Sequence, residues 1–268
     1  MNSVASRARL THSVTGALWL PEAGRLMRHP VMVFGFAWWT VLAVGFQSRG
    51  TSAIQRFESV TAQLSFFPGV VAVLAGHLLA TRDRRAGTTD LLDTLPASAR
   101  QRVLALCAAA LVPAAVAAVL NLALTGYFIV TGGFVETPDI WQVLQAPVTV
   151  LGGTLLGVLI GVWLPSRAAP VMAIIVVVAI NVWLVEHGST GALFAPMFSW
   201  VDWGPYDGSR WVRTFPGSTF AHDAYLIGLC GMAAAGAVLR VAEHRAIPLL
   251  AGVVAATVAV VGGVAQLP

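Results

Sequence analysis

VTAQLSFFPGVVAVLAGHLLATRDRRAG, Val60–Gly87, changes solvent partway along its length. Val60–Ala80 holds no Asp, Glu, Lys or Arg, while Thr81–Gly87 holds three arginines and an aspartate. A run of about 20 apolar residues is what a helix needs to cross a bilayer. The arginines that follow mark where such a helix meets water.

The rest of the chain agrees with that reading. Of 268 residues, 57% are hydrophobic and 10% charged, against roughly 45–50% and about 25% for soluble domains. The mean hydropathy is +0.78. Seven apolar segments stand out: Pro30–Phe46, Val60–Ala80, Val103–Val130, Ile140–Leu164, Ala168–Val185, Phe220–Leu239 and Ala246–Ala265. The first and fifth are at the short end of the spanning range, and the third is long enough to tilt or to kink at Pro113. The expected fold is an all-α, polytopic transmembrane bundle of six spans with a seventh at the C-terminus. Residues 1–29 form a lead-in, 30–245 a six-span core and 246–268 the added span.

Arginine placement sets the expected orientation, since basic residues collect on the inner side. With the N-terminus inside, twelve arginines face inward, from Arg7 to Arg245, and four outward: Arg49, Arg56, Arg210 and Arg213. Thr81–Arg102 is then cytoplasmic and the C-terminus outside. The lysine-free composition, rich in Ala, Val and Gly, points to a GC-rich genome and a bacterial plasma membrane. Thr11–His29 reads as an amphipathic helix on the inner surface, with Pro21 and Glu22 in its first turn and Arg25 and Arg28 in its last. The outer loop Glu186–Thr219 carries Phe194, Phe198, Trp200, Trp203, Tyr206, Trp211 and Phe215. Such rings favour the headgroup level.

Several functions fall away. All sixteen basic residues are Arg, so the phosphate-binding loop G-x-x-x-x-G-K-[ST] cannot be present. The net charge of +4 does not call for nucleic acid. No acid or arginine lies deep within a span, which argues against an ion-coupled carrier. His77, near the inner end of the second span, reads as a packing histidine. Cys107 and Cys230 lie in apolar runs and read as buried small residues. Glu186, His187, His222 and Asp223 share the outer side without metal-ligand spacing. They leave a membrane-embedded enzyme as one alternative, and a non-transporting scaffold or sensor is another. Gly153, Gly157 and Gly161 form overlapping G-x-x-x-G units that let a second helix backbone come close, within the chain or across a dimer.

The segment Thr81–Arg102 contains five arginines and three aspartates around Leu91, Leu92 and Leu95. Gly87 permits a sharp turn, Thr88, Thr89 or Asp90 can cap a short helix, Asp90 and Asp93 suit its positive end, and Pro96 stops it. Leu91 and Leu95 share a face. An exposed apolar patch of this kind marks a partner site, and the basic flanks suit an anionic lipid surface.

This segment resembles the one that follows the second span in the membrane subunits of type-2 ATP-binding-cassette exporters. The resemblance rests on Gly87, Thr88, Leu91, Leu92, Thr94 and Pro96, followed by basic residues and the third span. Arg84 and Arg85 stand where the family has an acid, and Leu95 is an addition before the proline. The interfacial helix and the long loop before the sixth span fit the same family. The resemblance implies a permease subunit, not itself an enzyme, with Thr88–Thr94 as the coupling helix. A separate ATPase subunit would dock there and bind ATP and magnesium, leaving no cofactor in this chain. Leu91, Leu92 and Leu95 would give apolar contacts, and Arg84, Arg85 and Arg100 charge complementarity. A second permease subunit, identical or different, would complete the exporter of a hydrophobic or amphipathic substrate.

Overall fold

The computed structural model of the chain describes residues 16–45, 53–88, 96–131, 138–186, 191, 193–195 and 218–267. These residues are helical with short connections and include no strand. In chain order α1 covers residues 16–27, α2 Pro30–Gly45, α3 Ala53–Ala80, α4 Arg82–Arg85 and α5 Ala99–Ala109. Then follow α6 Leu111–Val130, α7 Ile140–Trp163, α8 Ala169–Glu186, α9 Thr219–Val241 and α10 Ala246–Ala265.

Among the described residues, five stretches are long and apolar enough to cross a membrane: Gln63–Ala80, Ala99–Val130, Ile140–Trp163, Thr219–Val241 and Ala246–Ala265. Helices α2 and α8 are apolar but shorter, with 16 and 18 residues. At 1.5 Å per residue they reach about 24 and 27 Å, against a hydrocarbon core of about 30 Å.

Three boundaries differ from the sequence reading, each for a local reason. Helix α3 begins at Ala53, because no Pro or Gly interrupts Ala53–Val60, and Arg56 therefore lies on a helix rather than in a loop. Helix α1 already runs from residue 16, which puts Pro21 inside it rather than in its first turn. Pro21 is exposed, so the carbonyl its ring leaves unbonded can meet water. The third apolar run is two helices, broken at Ala110. Pro113 has no N–H for the Ala109 carbonyl, and its ring crowds that oxygen.

Helix starts are fixed by side-chain caps. Ser98 accepts from Gln101 N at 3.2 Å while Gln101 Oε1 accepts from Ser98 N at 2.8 Å, a reciprocal capping box that opens α5. Asp139 and Gln142 repeat the device at the start of α7.

The deepest contact in the bundle joins α3 to α7, which run parallel. A methyl on Gly157 would overlap the Val73 carbonyl oxygen and stand 2.9 Å from the His77 amide nitrogen. One on Gly76 would stand 2.5 Å from the Thr154 carbonyl oxygen, and one on Gly161 2.8 Å from Ala80 Cβ. Gly153 is buried in the same helix. The two backbones therefore touch with almost no side chain between them, as small residues allow in lipid. At the end of the seam His77 Nε2 lies 3.3 Å from the Leu164 carbonyl oxygen.

Helix α9 lies on α7 and carries α10 on its other side. Gly228 faces Ala259, and a methyl on Gly262 would stand 2.6 Å from Tyr225 N and 2.7 Å from Ala221 O. The C-terminal helix is thus closely seated on the bundle. On the far flank α2 packs on α3, where Met32 and Trp39 join Leu26 of α1 and Leu64 of α3 in one core. Val33, Phe34 and Trp38 of α2, and Met172, Ile175 and Val176 of α8, face outward, as lipid-facing positions do.

Gly157→Ala is expected to destabilise the protein by about 1–3 kcal/mol, the range for forcing atoms into a packed interior. Gly126→Ala, where a methyl meets nothing within 4 Å, is the neutral control. Thermal unfolding in detergent reads both, and equal melting temperatures would refute the seam.

Candidate functional site

The arginine-rich end gathers around one carboxylate. Glu22 on α1 has a side chain only 8% exposed. Arg82, the first residue of α4, grips it with two parallel bonds, Nη1 to Oε2 at 2.6 Å and Nη2 to Oε1 at 2.7 Å. Arg25 adds Nη1 to Oε1 at 2.7 Å, and Arg82 Nε donates to Asp83 Oδ1 at 3.0 Å. Forked pairing of this kind is the strong form of a charged hydrogen bond. Burial opposes the charge on Arg82, but its bonds to Glu22 and Asp83 outweigh that and raise its pKa.

This clamp joins two segments sixty residues apart in sequence. It ties α1 to the end of α3, because α4 follows α3 after Thr81 alone. Thr81 Oγ1 donates to the His77 carbonyl at 2.8 Å and keeps the junction helical. Arg85 reaches back to the Leu78 carbonyl oxygen. Gly87 has φ +67°, the one left-handed backbone among the described residues. The chain leaves α4 there, as the sequence placed a sharp turn, and L-residues with a Cβ pay for that conformation. It returns at Pro96 to the Ser98 cap. Arg102 Nη1 donates to the Ala97 carbonyl at 3.0 Å, which stiffens the return.

Thr89, Asp90, Leu91, Leu92, Asp93 and Leu95 lie outside the described residues. Of the remaining residues assigned to docking, Arg84, Arg85 and Gly87 are exposed, while Thr88 and Arg100 are half-buried. Glu22 was readable only as a helix-start acid. Its partner sits too far along the chain for any spacing rule to find.

His29 lines the same end. Its Nδ1 accepts from Val31 N at 3.3 Å. Burial, then the charge of Arg85, lower its pKa. A histidine whose folded pKa lies below the unfolded value adds stability above the unfolded value and loses it as pH falls.

The opposite end holds a buried polar cluster. His222 on α9 is fully buried. Its Nδ1 lies 2.8 Å from Gln266 Oε1, just past α10, and its Nε2 3.1 Å from Gln145 Nε2 on α7. Both contacts suit the tautomer in which Nδ1–H donates to Gln266 and Nε2 accepts from Gln145. Thr219 Oγ1 donates to Asp139 Oδ2 at 2.7 Å, and Tyr225 OH to the Phe194 carbonyl at 3.1 Å. Asp223 is buried, and no described residue donates a hydrogen bond to either of its carboxylate oxygens. Glu186, at the end of α8, is exposed, and His187 lies outside the described residues. So do Phe198, Trp200, Trp203, Tyr206, Trp211 and Phe215. Among the described residues no three His, Cys, Asp or Glu side chains gather to hold a metal ion. The cluster ties α7, α9 and the tail of α10 together.

Between these ends, α7 and α9, with Val177 of α8, line a half-open apolar cavity of about 370 Å³. Leu156, Val177, Leu226 and Met232 are among the side chains that line it.

No protein-family model, curated protein or solved structure matches the chain.

Arg82→Gln is expected to cost more stability than Glu22→Gln/Arg82→Gln, because the single change leaves a buried carboxylate short of its main partner. The single change should fall between the roughly 0–1 kcal/mol of exposed pairs and the roughly 3–5 kcal/mol of buried ones. The reason is that 33% of the Arg82 side chain stays open to solvent. Melting temperatures of the three proteins give the order, and a double variant weaker than the single would contradict it.

Proposed function

We propose that this chain is the permease subunit of an ATP-binding-cassette exporter, seated in a bacterial plasma membrane with its N-terminus and the Thr81–Arg102 segment in the cytoplasm. The observation that carries the proposal is the mounting of that segment. It leaves through the left-handed Gly87, returns through a capped α5, and is bolted to α1 through Glu22 and Arg82. A loop held at both ends by charged bonds and a capping box suits a part that receives force. It also begins at the end of α3, the helix with the deepest contact in the bundle.

In this reading the ATPase subunit docks on Leu91, Leu92 and Leu95. Arg84, Arg85 and Arg100 meet acidic groups on it, and ATP and magnesium stay in the partner. Closure of two ATPase subunits moves the segment, and the bundle shifts between inward- and outward-facing states. A second permease subunit faces this one. The substrate is hydrophobic or amphipathic, and the apolar cavity beside α8 is the kind of space that takes its greasy part. Helices α2 and α8 complete a seven-pass arrangement with the bilayer thinned or the helices flanked by snorkelling residues.

The test is co-purification with a candidate soluble ATPase subunit co-expressed with this chain. Leu91→Asp/Leu92→Asp places a carboxylate in each apolar contact, which costs several kcal/mol. The wild type is expected to retain the ATPase, and the double variant to lose it while keeping its melting temperature. Gly87→Val should weaken retention, and Gly87→Asn, which tolerates a left-handed backbone, should weaken it less. Equal retention by wild type and the Leu91→Asp/Leu92→Asp variant would overturn the proposal.

A further inference from the structure

Beside the Glu22–Arg82 clamp lies a cavity of about 660 Å³, walled by α1, the end of α3, α4 and α5. Its lining carries four guanidinium groups, on Arg25, Arg82, Arg85 and Arg102, against two carboxylates, on Glu22 and Asp83. With His29 neutral the wall holds four positive and two negative charges, a balance of +2. Both carboxylates are engaged, Glu22 by Arg82 and Arg25 and Asp83 by Arg82. Arg85 turns instead to a neutral backbone carbonyl, that of Leu78. The floor is apolar, with Leu18, Leu78 and Leu106.

The height of the cavity matters as much as its charge. The spanning stretch of α3 ends at Ala80, and Arg82 and Arg85 follow within two turns. Those guanidiniums stand where a bilayer changes from acyl chain to headgroup. Leu20 of α1, two residues from the clamped Glu22, is an apolar side chain left 61% exposed. A cationic wall over an apolar floor at that depth matches a phosphate with a greasy tail, and guanidinium forks match phosphate oxygens in pairs.

We propose that this cavity binds a phosphate ester, presented by an anionic phospholipid whose first methylenes lie on the leucine floor. The lipid would brace α1 against α4 and α5 from the side that the clamp leaves open. An acidic protein segment fits the charge but not the apolar floor. The site needs no ATPase; it shares Arg85 with the proposed docking face, and a test on the chain alone keeps the two readings apart.

The experiment uses the full chain alone. Native mass spectrometry counts lipid retained from micelles containing phosphatidylcholine with phosphatidylglycerol, and thermal unfolding follows stability in each lipid. The wild type is expected to keep phosphatidylglycerol in preference to phosphatidylcholine and to melt higher in its presence. Arg85→Gln/Arg102→Gln should lower that retention by about tenfold or more while Arg167→Gln leaves it unchanged. Inorganic phosphate and glycerol 3-phosphate form the soluble arm. Full protection by either would assign the phosphate site to a free ion and overturn the lipid source. A wild type that shows no preference and no rise in melting temperature overturns the proposal, whether or not the double variant folds. An acidic peptide that displaces phosphatidylglycerol more strongly than added phospholipid does would identify a protein segment as the occupant instead.

Discussion

The backbone contact between α3 and α7 is the constraint on which the rest of the bundle depends. Lipid tails are as apolar as leucine, so greasy side chains give no preference for helix over lipid. Close backbone approach does. At Gly76 and Gly157 each helix gives up its side chain, and the two main chains meet through Val73, His77 and Thr154. Buried threonines on α7 stay within their own helix, as Thr154 Oγ1 donates to the Val150 carbonyl at 3.1 Å. The seam is therefore smooth, with its buried threonine hydroxyls bonded inside their own helix. The other long helices build outward from these two: α2 on α3, α6 and α9 on α7, and α10 in turn on α9.

What happens at the arginine-rich end follows from that seam. Helix α3 cannot move without α7, and α4 continues α3 through Thr81. The Glu22–Arg82 clamp then adds α1 to the same body. Under the proposed function, a load arriving at the turn at Gly87 would enter the bundle through charged bonds. At the opposite end His222 holds Gln145 and Gln266 at once. Trp163 Nε1 donates to the Gly236 carbonyl at 3.0 Å, and Arg240 stacks over its ring at 5.6 Å. Helices α7 and α9 are thus joined at both ends.

The apolar helices were legible because hydropathy and length are local properties, and Pro113 announced the break at Ala110 for the same reason. The glycines of α7 were legible as a packing face, but not their partner. The matching half on α3, Gly76 with Ala80, is plain only once the two helices are laid side by side. Glu22 with Arg82, and His222 with Gln145 and Gln266, were beyond reach. Each joins residues from separate helices, and polar groups near helix ends look alike in sequence whether they face water or one another. Asp223 shows that ambiguity: the sequence places it only on the outer side, and it is buried. The docking leucines remain a matter of resemblance, carried by a motif and by the turn at Gly87.

The most direct measurement is amide hydrogen exchange on the chain with the proposed ATPase partner, with and without trapped ATP. If load passes through the clamp, residues 16–27 and 77–85 change protection together when ATP is trapped, and Arg82→Gln uncouples the two segments. A change confined to the turn beyond Gly87, with α1 and the end of α3 unmoved, would contradict the account.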